Sequence, residues 1–123
     1  MYQRISSKNS SEWGEEAVWK WGGFNCHWRE LGFSNKKPLL LLHGFGASSA
    51  HWRYNAHYFA NEGFKVYALD LIGFGKSDQP EPKKLKKIDN HFWSMQVAAF
   101  LEEIVNTKEN GKAVLIGNSL GYK

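Results

Sequence analysis

The chain has 123 residues, room for one domain, and its 42% hydrophobic and 23% charged composition excludes a disordered polypeptide. One cysteine, Cys26, excludes an intramolecular disulfide. Much of the +4 net charge comes from Lys83, Lys84, Lys86 and Lys87. That run follows Pro80, has no interleaved aromatics and no nucleic-acid module, so it reads as a solvated loop, not a nucleic-acid or lipid patch. The N-terminus lacks the apolar core of a signal peptide, and no apolar run approaches the ~20 residues of a membrane-spanning helix. The expected location is the cytoplasm or the soluble phase of an organelle.

Residues 1–15 are polar and expected to be loose, followed by a single domain over 16–123. Residues 17–22 and 25–31 read as two strands of a hairpin around Gly22-Gly23. The run Leu39 to Leu42 is apolar at every position, as in a strand covered on both faces. A loop, His43 to Ser49, leads into a helix expected over about 49–62 and stopped by Gly63. A strand over 65–71 and a glycine- and proline-rich loop come next. The clearest helix spans about 89–107, with Trp93, Val97, Phe100, Leu101, Ile104 and Val105 at helical spacing on one face. After Asn110-Gly111 a last buried strand, 113–116, runs into Gly117. The alternation of strands and helices predicts an α/β fold with a mostly parallel sheet and flanking helices.

Three glycine-bearing segments carry the chemistry. Gly44 and Gly46, after a strand and before a helix, suit either backbone N–H groups facing an oxyanion or a dinucleotide fingerprint, with Asp70 placed as a ribose-binding acid. A purely structural turn also fits. Gly75-Lys76-Ser77 copies the tail of a phosphate-binding loop, but Asp70 occupies the position of its first glycine and the pattern fails. Gly117-Asn118-Ser119-Leu120-Gly121 is a G-x-S-x-G run directly after an apolar strand, the setting of a nucleophile elbow. None of the five histidines makes a convincing base or metal pair, since all precede Ser119 and His51 and His57 lie six apart.

Together, residues 39–48, 68–78 and 113–121 resemble, in order and spacing, the third strand and oxyanion loop, the fourth strand and its loop, and the fifth strand and elbow of the α/β-hydrolase family. Within it the wording is nearest to cyanobacterial and plastid hydrolases, including the pheophytinase-like group. The resemblance implies Ser119 as nucleophile and the backbone N–H groups of Phe45 and Leu120 as the oxyanion hole. It also implies a Phe45 side chain bordering the acyl pocket and structural roles for Asp70 and Asp78. No cofactor and no metal are implied, and the substrate of the intact enzyme would be a small apolar ester. One departure is Tyr122, where the family usually carries a second glycine.

In this family the acid and the histidine follow the serine. The chain is therefore expected to be the N-terminal half of a serine hydrolase, truncated at the elbow and inactive alone. Losing such a triad costs roughly 10⁶ in turnover. Val114, Leu115 and Ile116 are expected to lose cover, at roughly 1.5–3 kcal/mol per exposed side chain. The alternatives are a non-catalytic interaction fragment, complemented by a separately encoded C-terminal half, and a dinucleotide-binding module.

Overall fold

Strand and helix periodicities combine into one six-stranded sheet with helices on its faces. The computed structural model describes residues 2–5, 13–81, 83 and 88–118. The strands are β1 (Tyr2–Ile5), β2 (Glu15–Trp21), β3 (Phe24–Leu31), β4 (Lys37–Leu42), β5 (Phe64–Leu69) and β6 (Val114–Gly117). A 3-10 turn (Ser49–Trp52) and helix α1 (Ala56–Asn61) connect β4 to β5. Helix α2 (Asn90–Phe100), a π turn (Leu101–Val105) and the short α3 (Thr107–Asn110) precede β6.

The sheet order is β1-β2-β3-β5-β4-β6. It is mixed: β1, β2 and β3 form an antiparallel meander that also pairs antiparallel with β5. The parallel part predicted by sequence is confined to β5, β4 and β6. The hairpin turns where expected, with Gly22 at φ 56° and Gly23 at φ 83°, both in the left-handed region that a two-residue hairpin loop of type I′ demands.

Period-two alternation explains the all-apolar strands. Leu39 and Leu41 of β4, with Val66 and Ala68 of β5, pack against Trp52 and Ala56 on one face. Leu40, Tyr67 and Leu69 point to the other face, where they meet Trp19, Trp28, Phe100 and Val105. The Phe100 ring packs edge-on against Trp19, Trp28 and Tyr67, with centroids 5.7, 5.5 and 6.0 Å away.

Three expectations change. The N-terminal stretch is not uniformly loose: Tyr2–Ile5 adds an edge strand to β2, Tyr2 packs edge-on against Trp28, and Arg4 reaches Glu30 at 3.0 Å. Trp13 is buried and donates its indole N–H to the Ser49 carbonyl at 2.9 Å. The helix expected over 49–62 is split. Successive i→i+3 bonds (His51 to Ser48, Arg53 to Ala50, Asn55 to Trp52) tighten its first half into a 3-10 turn before α1 begins. The helix expected to reach Thr107 ends at Asn106, whose left-handed φ of 59° breaks it after the π turn. Its start is as predicted, with the Asp89 carboxylate accepting the Phe92 N–H at 2.9 Å.

Among the described residues β6 pairs with β4 alone, and it is thinly covered: Val114 is 37% and Leu115 51% exposed. The lysine run read as a solvated loop lies outside the described residues except for Lys83, which is exposed.

Candidate active site

Register brings three loops to one edge of the sheet. Leu42 pairs with Leu69 on one side and Gly117 on the other, so His43, Asp70 and Asn118 emerge side by side from three parallel strands. This is the edge where open α/β sheets hold their ligands. The Asn118 N–H donates to the Leu42 carbonyl at 3.1 Å, and its side-chain amide lies 3.2 Å from His51 Nε2. A Cβ placed on Gly44 would be in ordinary contact with Asn118 at 3.6 Å, so the end of β6 borders the 43–48 loop directly.

His43 is fully buried and fixes that loop. Its Nδ1 lies 2.8 Å from the Gly44 carbonyl, which can only accept, so Nδ1 carries the proton and Nε2 accepts the Leu71 N–H at 3.0 Å. Burial pushes the His43 pKa down, keeping the ring neutral. With both nitrogens occupied, His43 is a brace and not a base.

Phe45, by contrast, is 73% exposed at the rim. Its ring meets Phe74 edge-on at 5.1 Å, and Phe74 in turn lies 5.7 Å from Trp93. The Trp93 indole is pinned by donating to the Ile72 carbonyl at 2.9 Å. Beside these rings a cleft of about 350 Å³ is walled by Leu42, Leu71, Trp93, Val97 and Leu101.

Beneath the rim sits a buried charge network that sequence reading did not anticipate. His27 lies between two carboxylates, with Nδ1 2.6 Å from Asp70 and Nε2 2.7 Å from Glu16. Glu16 also accepts from Lys76 Nζ at 2.8 Å and faces Arg29 at 3.5 Å. Arg29 donates to the Ser49 hydroxyl and to the Trp13 carbonyl. Burial works to raise the Glu16 pKa, but hydrogen bonds from Lys76 and His27 and the Arg29 charge outweigh it and bring it to about 2. Asp70 is likewise held below the usual carboxylate range, because hydrogen bonds from His27 and the N–H groups of Ser49 and Lys76 overcome its burial.

The network removes two sequence-level alternatives. Asp70 is only 1% exposed with both oxygens engaged, so it offers nothing to a ribose. Lys76 is committed to Glu16 and the Ser77 hydroxyl to the Asp70 carbonyl, so Gly75-Lys76-Ser77 cradles no phosphate. Gly75 lies directly against the Asp70 carboxylate: a Cβ added there would sit 2.5 Å from it. Asp78 accepts the Asn25 N–H at 2.8 Å and ties the same loop to β3. Burial pushes the Cys26 thiol up to about 12, so it is no nucleophile. Of the three site residues named from sequence, only Phe45 is described; Ser119 and Leu120 lie outside the described residues.

The described residues hold no group of three or more acidic, histidine or cysteine side chains arranged for a metal, and no helix long and apolar enough to cross a membrane. A sheet whose parallel strands present glycine loops at their carboxyl ends is an α/β sheet with its ligand-binding edge at those loops. The chain belongs to the α/β-hydrolase fold family, whose sequence model matches residues 37–121. It is 34% identical over 99 residues to mouse (Mus musculus) epoxide hydrolase 4, covering 80% of this chain and 26% of that protein. Human (Homo sapiens) 1-acylglycerol-3-phosphate O-acyltransferase ABHD5 is 36% identical over 89 residues, covering 72% and 24%. A laboratory-evolved potato epoxide hydrolase superposes with a TM-score of 0.75 at 27% identity, over 85% of this chain and 31% of the other. The thioesterase domain of the curacin biosynthetic pathway gives the same TM-score at 23% identity, over 85% and 35%, and shares the fold. The chain thus spans about a quarter of the length of the curated relatives it matches.

Proposed function

We propose that this chain is the N-terminal part of a serine hydrolase acting on an apolar carboxylic ester, and that it is inactive alone. The observation that supports the reading is the β4–β6 register, which sets Asn118, the residue before Ser119 in sequence, against Leu42 and Gly44 at the 43–48 loop. In this reading Ser119 Oγ attacks the ester carbonyl, and the N–H groups of Phe45 and Leu120 hold the resulting oxyanion. The alcohol leaves, and water releases the acyl group from the serine. The histidine that takes and returns the proton, and the acid that orients it, come from sequence other than these 123 residues. The nearer grouping with cyanobacterial and plastid hydrolases and a cytoplasmic or organellar-soluble location belong to the same proposal.

The test compares hydrolysis of a p-nitrophenyl ester by the chain and by its Ser119→Ala variant. Equal, background rates are expected; a faster wild-type rate overturns the incompleteness. Among the described residues β6 is an edge strand with Leu115 half exposed, which favours a second reading, a fragment completed by a separate polypeptide. A co-purifying protein that supplies the acid and the histidine, and confers activity lost in Ser119→Ala, would establish it. Stabilisation of the chain by NAD would instead revive the dinucleotide alternative.

A further inference from the structure

We infer that Asp70, held by His27, is a positioning residue that latches together the two loops flanking the candidate site. The functional importance of those loops rests on the hydrolase reading above; the latch itself follows from geometry. Asp70 Oδ1 accepts the N–H of Ser49, where the 43–48 loop ends, at 2.6 Å. Its Oδ2 accepts the N–H of Lys76, in the facing 71–78 loop, at 3.0 Å, and also meets His27 Nδ1 at 2.6 Å. One carboxylate therefore joins two loops that share no strand.

Neighbouring groups hold the carboxylate in place. The Asp70 carbonyl receives the Ser77 hydroxyl at 2.6 Å and Gln96 Nε2 at 3.3 Å, and the Asp70 N–H donates to the His27 carbonyl at 2.9 Å. Charge-assisted bonds to a carboxylate shielded from water are roughly twice as strong as neutral ones. Gly75 completes the clamp, since only a residue without a Cβ lets the 71–78 loop close over the carboxylate. The loops carry Phe45 and Phe74, whose rings touch across the rim, so the latch also sets the spacing of that aromatic pair. Glu16 on β2 reaches Asp70 through His27 and also meets Lys76 Nζ directly at 2.8 Å, while the His27 N–H on β3 donates to the Ser77 hydroxyl at 2.8 Å.

The test is residue-resolved amide hydrogen exchange on the ¹⁵N-labelled full chain, reading Ala47, Ser49, His51 and Lys76 against amides of the β2–β3 hairpin. Asparagine keeps the shape of aspartate but has a single acceptor oxygen. In Asp70→Asn, one of the Ser49 and Lys76 amides should stay protected, while the other exchanges about tenfold faster or more. Gly75→Ala should speed exchange in both loops. Gly73→Ala serves as its control, having a positive φ of 97° but open space where the methyl would go, and it should disturb the 71–78 loop alone.

Uniform acceleration that includes the hairpin, or unchanged Ala47 and Ser49 protection in Gly75→Ala, would overturn the latch. If Asp70→Asn does not fold, the contrast between the two glycine variants decides. Ester turnover plays no part in this readout. The latch stands or falls on exchange alone, whereas the proposed function stands or falls on esterase activity that a complementing polypeptide confers and Ser119→Ala removes, so either can fail without the other.

Discussion

Replacing Glu16 by glutamine removes the charge at the base of the network while keeping its shape. The folded chain holds Glu16 at a pKa of about 2 against 4.5 for an ordinary glutamate side chain, a displacement worth about 3 kcal/mol at about 1.4 kcal/mol per pH unit. That is a ceiling, because the Lys76 side chain that supplies part of the effect is 51% exposed and screened, and about 2 kcal/mol is a fairer expectation. A depressed carboxylate stabilises the fold fully above its unfolded pKa, and that contribution is lost as pH falls from about 4.5 through about 2. Guanidinium unfolding followed by tryptophan fluorescence should show Glu16→Gln less stable than wild type by about 2–3 kcal/mol near neutrality. By about pH 2.5 the gap should shrink to under about 1 kcal/mol, since wild-type Glu16 is then increasingly protonated in both states. Asp70 titrates in the same direction and is present in both proteins, but it shares His27 with Glu16, so the difference reports Glu16 together with its coupling to that pair. A gap of the same size at both pH values, or none near neutrality, would refute the electrostatic account.

Phe100→Ala deletes the ring where Trp19, Trp28 and Tyr67 converge and should cost about 3–5 kcal/mol, read as a lowered denaturant midpoint. Leu115→Lys, at a half-exposed position on the edge strand, should reduce self-association in sedimentation velocity while leaving the circular dichroism spectrum unchanged. Cys26, buried with its thiol pushed up to about 12, should react with a thiol-disulfide reagent only once denaturant unfolds the chain; rapid native labelling would contradict its placement.

What sequence could reveal followed the strength of local signals. The four consecutive leucines of β4, the Gly22-Gly23 turn and the helix start near residue 89 are local signals, and each appears within a few residues of its expected place. The Tyr2–Ile5 strand was not legible, because four residues carry no periodicity and it forms only by pairing with β2. The roles of the charged residues of β2 and β3 were not legible for a different reason. Glu16, His27 and Arg29 look solvent-facing by composition, yet the 3-10 turn and the 71–78 loop cover them. Burying charge at such a place is viable only when every group finds a partner, and those partners come from positions up to 60 residues away.

That burial changes what the antiparallel meander is for. A parallel sheet alone gives its carboxyl-end loops no mutual registry, since β4, β5 and β6 each release their loop independently beyond the last paired residue. One face of β2 and β3 supplies Ala17, Trp19, Cys26 and Trp28 to the core beneath α2. The opposite face supplies Glu16, His27 and Arg29, which bind the ends of both loops through Asp70, Ser49 and Lys76. The meander therefore carries hydrophobic stability on one side and loop registry on the other. A substitution on the Trp28 side should lower stability across the whole chain, whereas one on the His27 side should loosen the rim before the fold is lost.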